Sequence, residues 1–242
     1  LLALASACAV EVLQIADNLP LHEQPLSDLQ ALAEEAKARR IDLEIGTKGL
    51  KPEHLLLYLD LARSLGARLV RTLPHDGKDR PDLAEACRRL QTVRPDFESA
   101  DVILAVENHD WYPAAWLAEL IDRTDSRWIG VCLDAVNNLG QGESFAEVIE
   151  RLGRLTVNFH CKDYLIQRKP TMLGFDVIGC PAGEGMLELK LASQMIDRPD
   201  VSWIIESWLP WQGTVESTLA TERDWIVRSV ANLKQFRANL SR

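Results

Sequence analysis

No stretch of this sequence stays apolar for the ~20 residues that a membrane-spanning helix needs, so no membrane partner is expected. Positive charge is scarce: 27 Lys and Arg face 36 Asp and Glu, a net charge of −9. That balance disfavours a phosphate backbone as ligand, and no nucleic-acid partner is expected. Paired cysteines are lacking. The five, Cys8, Cys87, Cys132, Cys161 and Cys180, are scattered and odd in number, and none forms a CxxC motif. They read as reduced thiols of a cytoplasmic protein, mostly small core residues. The opening LLALASACAV is apolar but carries no basic leading segment, so it does not read as a signal peptide. No Gly-rich phosphate fingerprint follows the first strand-like run, which argues against a dinucleotide-binding sheet. Linkers and low-complexity tracts are missing too, and residues 1–242 read as a single domain.

What is present is a large apolar fraction, 47%, arranged in a regular alternation. Short strand-like runs recur: EVLQIAD from Glu11, IDLEIGT from Ile41, RLVRTLP from Arg68, VILAVENH from Val102, WIGVCLD from Trp128, LTVNFH from Leu155 and SWIIESW from Ser202. Helical patterns lie between them. One begins at a Ser27 cap, another starts at Pro52 and stops at Gly66, and others cover 81–99, 114–123, 144–153, 187–197 and 216–239. Pro95 is expected to kink or split the third. Strands alternating with helices imply right-handed βαβ units and a parallel sheet. The unit length, roughly 26–34 residues, suits an α/β fold of the (β/α)8 TIM-barrel type. Only seven strands can be counted, and the first strand is expected before Leu1, missing or disordered.

In such a barrel the chemistry sits at the C-terminal strand ends, where the loops converge. Those ends carry Asp17, Glu44 and Thr47, His75, Glu107 with Asn108 and His109, Asp134 with Asn137, His160 with Lys162 and Asp163, and Glu206. Glu107, Asp134, His160 and Glu206 fall at equivalent places, 27, 26 and 46 residues apart in turn. The last interval is longer because residues 163–185 read as an extended loop. Three carboxylates and an imidazole form an oxygen/nitrogen donor set suited to one divalent ion, Mn²⁺, Mg²⁺ or Co²⁺. Such an ion would offset the expense of grouping ionisable residues at the end of the buried run LTVNFHCKDYLIQR. Asp163 is expected to orient a ligand from behind, and Lys162 to neutralise Asp163 or reach the substrate. Cys132 and Cys161 lie beside proposed ligands, so strand alternation is expected to turn them away. His54 reads as surface or packing and His75 as a turn residue. Trp111, Trp208 and Trp211 read as pocket walls or core.

At these residues the sequence resembles the xylose-isomerase-like TIM-barrel superfamily, the sugar phosphate isomerase/epimerase group. The matching pieces are AVENHD, GVCLDAVN, FHCKDY, CPAGEGML and IIESW, in that order over roughly residues 9–210. The resemblance implies one divalent metal, often Mn²⁺, on Glu107, Asp134, His160 and Glu206. It also implies that the catalytic residues Glu107 and Glu206 exchange the substrate proton. Asn137 stands where the epimerases often carry His, and the segment from Lys162 to Gly185 is closer to relatives that include dehydratases of keto-cyclitols or dehydroshikimate.

The leading expectation is therefore a metal-dependent isomerase or epimerase of a sugar or keto-sugar, working through an enediolate that the metal stabilises. One glutamate removes the proton and the other returns it. His109, Asn137 and Lys162 would hold substrate hydroxyls, while Lys162 and Arg168 would alternatively hold a phosphate or carboxylate. GCPAGEGML would be a mobile loop over the mouth. The alternative is a lyase that dehydrates a keto-cyclitol or a dehydroshikimate-like substrate. A DNA-repair endonuclease of the same superfamily needs more histidines than the five present and a basic surface. A non-catalytic binding barrel would leave the complete ligand set without a task. A homo-oligomer is left open.

Overall fold

The protein is described from a computed structural model covering residues 1–196 and 198–240. Each of the seven strand-like runs forms a strand: β1 (Val12–Ile15), β2 (Asp42–Lys48), β3 (Leu69–Leu73), β4 (Ile103–Glu107), β5 (Ile129–Asp134), β6 (Thr156–Cys161) and, after a hairpin, β9 (Ser202–Ile205). They make one parallel sheet in the order β1-β2-β3-β4-β5-β6-β9, nearly closed into a TIM barrel. The middle strands are buried along their whole length on both faces, as β3, β5 and β6 show. That is why they read as near-continuous apolar runs rather than alternating ones. The edges β1 and β9 are only half-buried and share no ladder among the described residues. Beside this seam lies a cavity of about 830 Å³, lined by residues that include Leu13, Gln14, Ser202 and Ile204.

The helices are α1 (Leu2–Ala7), α2 (Leu26–Arg39), α3 (Pro52–Leu65), α4 (Leu83–Ala100), α5 (Ala114–Thr124), α6 (Phe145–Leu152), α7 (Leu189–Met195) and α8 (Val215–Leu240). Helix α3 buries Leu55, Tyr58, Leu59, Ala62 and Leu65, one stripe at helical spacing. It ends where Gly66 takes the left-handed conformation, φ 67°, which a side chain would strain. A Ser144–Glu147 capping box starts α6. The Ser27 expectation fails, and the split foreseen at Pro95 is not seen. Ser27 does not cap α2: the helix begins at Leu26, two residues before a Ser27 cap would start it, after Pro25 at φ −58°, so Ser27 falls in the first turn. Pro95 does not split α4. The fully buried Val93 and Phe97 on either side hold the helix against the sheet, and their packing outweighs one missing N–H.

The long loop expected over 163–185 is mostly an antiparallel hairpin, β7 (Asp163–Arg168) with β8 (Phe175–Cys180). One irregularity matters inside the barrel. Thr156 pairs with Val131 but Asn158 with Cys132, so Val157 is an extra residue in β6. It packs with Leu69, Ala105 and Cys132 beside Gly130, whose missing Cβ leaves the room.

Candidate functional site

The barrel places four ligand-type residues at one mouth. Glu107 and Asp134 are the last residues of β4 and β5, His160 is next to last in β6, and Glu206 directly follows β9. Each offers one donor atom, and the donor atoms all lie within 4.8 Å of one another. Glu107, Asp134 and His160 are buried, whereas the Glu206 side chain is 39% exposed and marks the open side.

Two cations balance this charge. Lys162, 5% exposed, lies with Nζ 2.8 Å from Asp134 Oδ2 and 2.9 Å from Glu206 Oε1. Arg71 on β3 donates through Nε to Glu107 Oε2 and through Nη1 to Asp17 Oδ1 at 2.8 Å. Asn137 Nδ2 donates to Glu107 Oε1 at 2.9 Å, so both oxygens of that glutamate are engaged. Asp134 Oδ1 accepts from the backbone N–H groups of Val136 and Asn137 at 2.7 and 2.8 Å. Asn108 ties Asp134 N and O through its own amide, which locks the β4 and β5 ends together.

The titrations follow from this arrangement. Burial alone would raise the Glu107 carboxyl, but Arg71 and His160 outweigh it and hold it below its ordinary value. For Glu206 burial is again outweighed, here by His160 and Lys162, and its carboxyl sits well below the usual carboxylate range. Burial dominates at Asp134 and raises it despite Lys162. His160 and Lys162 would both be lowered by burial; the surrounding carboxylates raise them instead.

Three atoms of the set, His160 Nδ1, Asp134 Oδ2 and Glu206 Oε2, are buried without a well-directed hydrogen bond. Charged neighbours lie close: His160 Nδ1 is 2.9 Å from Glu206 Oε2, and Asp134 Oδ2 is 2.8 Å from Lys162 Nζ. Buried polar atoms in this state call for an ion or water between them. Two oxygens and one ring nitrogen fit a divalent cation with hard or borderline preferences. A second group, Glu107, Cys132 and His160, also lies within 4.8 Å. Cys132 therefore corrects the expectation that strand alternation turns it away: it is two residues from Asp134 and shares its face. Cys161, adjacent to His160, does face outward into the main core.

Other expected site residues have different fates. Asn137 and Lys162 join the cluster, as described. His109 pairs with His75, Nδ1 to Nε2 at 3.2 Å, and His75 meets Trp111 edge-on. Arg168 is not brought to the cluster. It ends β7, about 16 Å of strand beyond Asp163, where it bonds Met172 O at 3.2 Å and stacks on Phe175. Asp163 does not orient a metal ligand. Its carboxylate instead accepts from the N–H groups of Tyr164, Gly183, Gly185 and Leu187 at 2.8–2.9 Å. The segment GCPAGEGML is accordingly tied down rather than free, with Ala182 also bonded to Ser229 and Asn232. His54 is a packing residue, bonded to Thr47 Oγ1 at 2.6 Å and set against His22 and Tyr58.

The sequence reading missed Arg71, Gln14, Asn158 and Ser202, which line the barrel beneath the four-residue set. One signal was available. Cys132, Asn158 and Ser202 keep the parity of Asp134, His160 and Glu206, at positions where barrel interiors usually carry Val, Ile or Leu.

Residues 9–229 match the family described as xylose isomerase-like TIM barrel. The chain belongs to that family. A 3-oxo-isoapionate decarboxylase of Pectobacterium atrosepticum is 34% identical over 222 residues, 90% of this chain and 80% of that protein. Among solved structures of the same fold, D-psicose 3-epimerase in the presence of D-fructose superposes with TM-score 0.70 at 15% identity, covering 96% of this chain and 90% of that one. A xylose isomerase-like TIM-barrel protein from Mycobacterium smegmatis in complex with magnesium gives 0.72 at 13% identity, over 95% and 86%.

Proposed function

We propose that this chain is a divalent-metal-dependent enzyme that releases carbon dioxide from a small 3-oxo sugar acid. The observation that carries the reading is Lys162, a buried cation set between two carboxylates of the donor set. The decarboxylase relative supports it. Glu107, Asp134, His160 and Glu206 would hold the ion, Mn²⁺ in the first place and Mg²⁺ or Co²⁺ otherwise, which supplies a Lewis acid for negative charge on the substrate's carbonyl oxygen.

The reaction breaks the bond between the carboxyl carbon and its neighbour. Carbon dioxide leaves, the electron pair stays on the carbon next to the carbonyl, and that carbon then takes a proton. Lys162 Nζ brings positive charge and N–H groups to the centre of the set, and it is the group assigned to deliver the proton, regaining one from water. Asn137 and Arg71 keep Glu107 fixed as an acceptor. His109, with His75 and Trp111, walls the mouth on the β3–β4 side.

A second reading, isomerase or epimerase of a keto-sugar, is favoured by the placement of two glutamates on well-separated strands, with Glu206 half-open to the mouth. Both readings pass through the same carbanion; they differ in the bond broken. The test incubates Mn²⁺-loaded protein in D₂O with 3-oxo sugar acids, ketohexoses and dehydroshikimate. Decarboxylation yields carbon dioxide and a product one carbon shorter that carries deuterium. An epimerase yields a product of unchanged carbon count carrying deuterium, and a dehydratase one lighter by water. Deuterated ketohexose without any carbon dioxide would promote the second reading. Loss of water would favour a lyase acting on C–O bonds.

A further inference from the structure

Beneath the donor set, four polar side chains from four strands meet inside the barrel. Gln14 on β1 donates through Nε2 to Glu44 Oε2 at 2.9 Å and to Asn158 Oδ1 at 3.1 Å. Asn158 on β6 donates through Nδ2 to Glu44 Oε2 at 2.9 Å and to Ser202 Oγ at 2.7 Å. Ser202 on β9 donates its hydroxyl hydrogen to the other oxygen of Glu44 on β2. Above them, Gln14 Oε1 lies 2.7 Å from His160 Nε2. Gln14 and Glu44 belong to one edge of the sheet, Asn158, His160 and Ser202 to the other. Their bonds therefore span the seam where β1 and β9 share no ladder.

The direction of each bond follows from what each group can do. Burial raises the Glu44 carboxyl, but Gln14, Asn158 and Ser202 all donate to it and favour the ionised form, which only accepts, so Gln14 turns its amide nitrogen toward Glu44. Its oxygen then faces His160, and an amide oxygen also only accepts. His160 Nε2 must carry a hydrogen. In the neutral ring that a metal ion requires, only one hydrogen is present, so Nδ1 is then the bare nitrogen, and Nδ1 is the atom that points into the donor set, 2.9 Å from Glu206 Oε2.

We propose that Gln14 is a positioning residue: anchored by Glu44, it holds His160 in the Nε2–H form and presents Nδ1 as the metal donor. The inference rests on the reading of His160 as a ligand. It adds that the ring's form is set from the opposite edge of the barrel, by a residue whose other side-chain bonds go to Glu44 and Asn158.

The test uses the full chain, wild type and two variants, Gln14→Leu and Glu44→Gln, each first checked for cooperative unfolding. Nitrogen-15 spectra of the imidazole rings are recorded on metal-free protein at alkaline pH, where the rings are neutral, with His160 assigned by difference from His160→Gln. Wild type is expected to show hydrogen on Nε2. Both variants are expected to show a mixture of forms. Mn²⁺ affinity, read from free Mn²⁺ by electron paramagnetic resonance, should fall about 10- to 100-fold in both, the usual effect of removing a ligand's hydrogen-bond partner. A wild-type ring with its hydrogen on Nδ1 overturns the proposal, even if neither variant folds. Unchanged ring signals and Mn²⁺ affinity in folded Gln14→Leu overturn it as well. If wild type binds no Mn²⁺, the proposed function fails, while the ring spectrum still decides which nitrogen Gln14 bonds.

Discussion

Lys162 Nζ stands between Asp134 and Glu206, and Asn137 Oδ1 lies 3.4 Å away. Without that ammonium, two carboxylates and their neighbour Glu107 would repel one another in a largely dry pocket. Replacing it by the uncharged Lys162→Met is expected to lower the stability of metal-free protein by about 3 kcal/mol, the low end for a broken buried pair because Glu206 is partly exposed. Mn²⁺ binding should tighten, since no fixed cation then competes for Asp134 Oδ2 or repels the ion. Turnover should fall by at least ~10², the worth of a proton donor. Urea unfolding with and without Mn²⁺, together with a turnover assay, checks all three. Weaker Mn²⁺ binding in the variant would mean that Lys162 organises the donor set rather than competing with the ion. At this scale the four donors were legible because each ends a strand-like run. Arg71 was not. A barrel strand buried on both faces shows no polar alternation, so RLVRTLP gives no sign of which side looks inward.

The β7–β8 hairpin and the segment after it are where the element scale decides most. The hairpin leaves the barrel at Asp163, and the chain returns so that Gly183, Gly185 and Leu187 present their N–H groups to that carboxylate. Gly185 has to be glycine: a Cβ there would meet Asp163 Oδ1, Tyr164 O and Cys180 Sγ well inside contact distance. Asp163→Ala removes one acceptor from four donors. It is expected to cost about 3 kcal/mol, several charge-assisted bonds partly replaced by water. Amide hydrogen exchange at Gly183, Gly185 and Leu187 should quicken markedly, with the barrel strands unaffected. Equal protection in wild type and variant would show that Ser229 and Asn232 alone hold the segment. The expected free loop and the expected metal-orienting Asp163 were one misreading. Nearness to His160 in sequence suggested the metal, but Asp163 lies three residues on, an odd step that points to the other side.

For the whole molecule, the donor set joins β4, β5, β6 and the end of β9, so an ion held there ties the second half of the barrel together. Mn²⁺ at 100 times its dissociation constant should then stabilise the fold by about 2.7 kcal/mol, and a chelator should reverse the gain. Thermal unfolding across a Mn²⁺ titration measures it. The same titration on Asp134→Asn should give a much smaller shift. An unshifted unfolding temperature in wild type would remove the ion from the site.

The alternation of seven parallel strands with helices, and the four donor residues at strand ends, were determined by the sequence alone. Both depend on local periodicity, a repeat of two against one of 3.6, and on residue type at the point where the repeat stops. Tertiary structure decided the rest: Lys162 inside the acidic set, Arg71 on Glu107, Gln14 against His160 and Asp163 under its loop. Each of these pairings joins residues on different strands or across the hairpin. The meeting of Gln14 with His160 depends on the curling of the sheet that brings β1 and β2 near β6 and β9, and the register of His160 against Asp134 on the extra residue at Val157. No local pattern encodes that closure, because it arises from the summed twist and register of every strand between them.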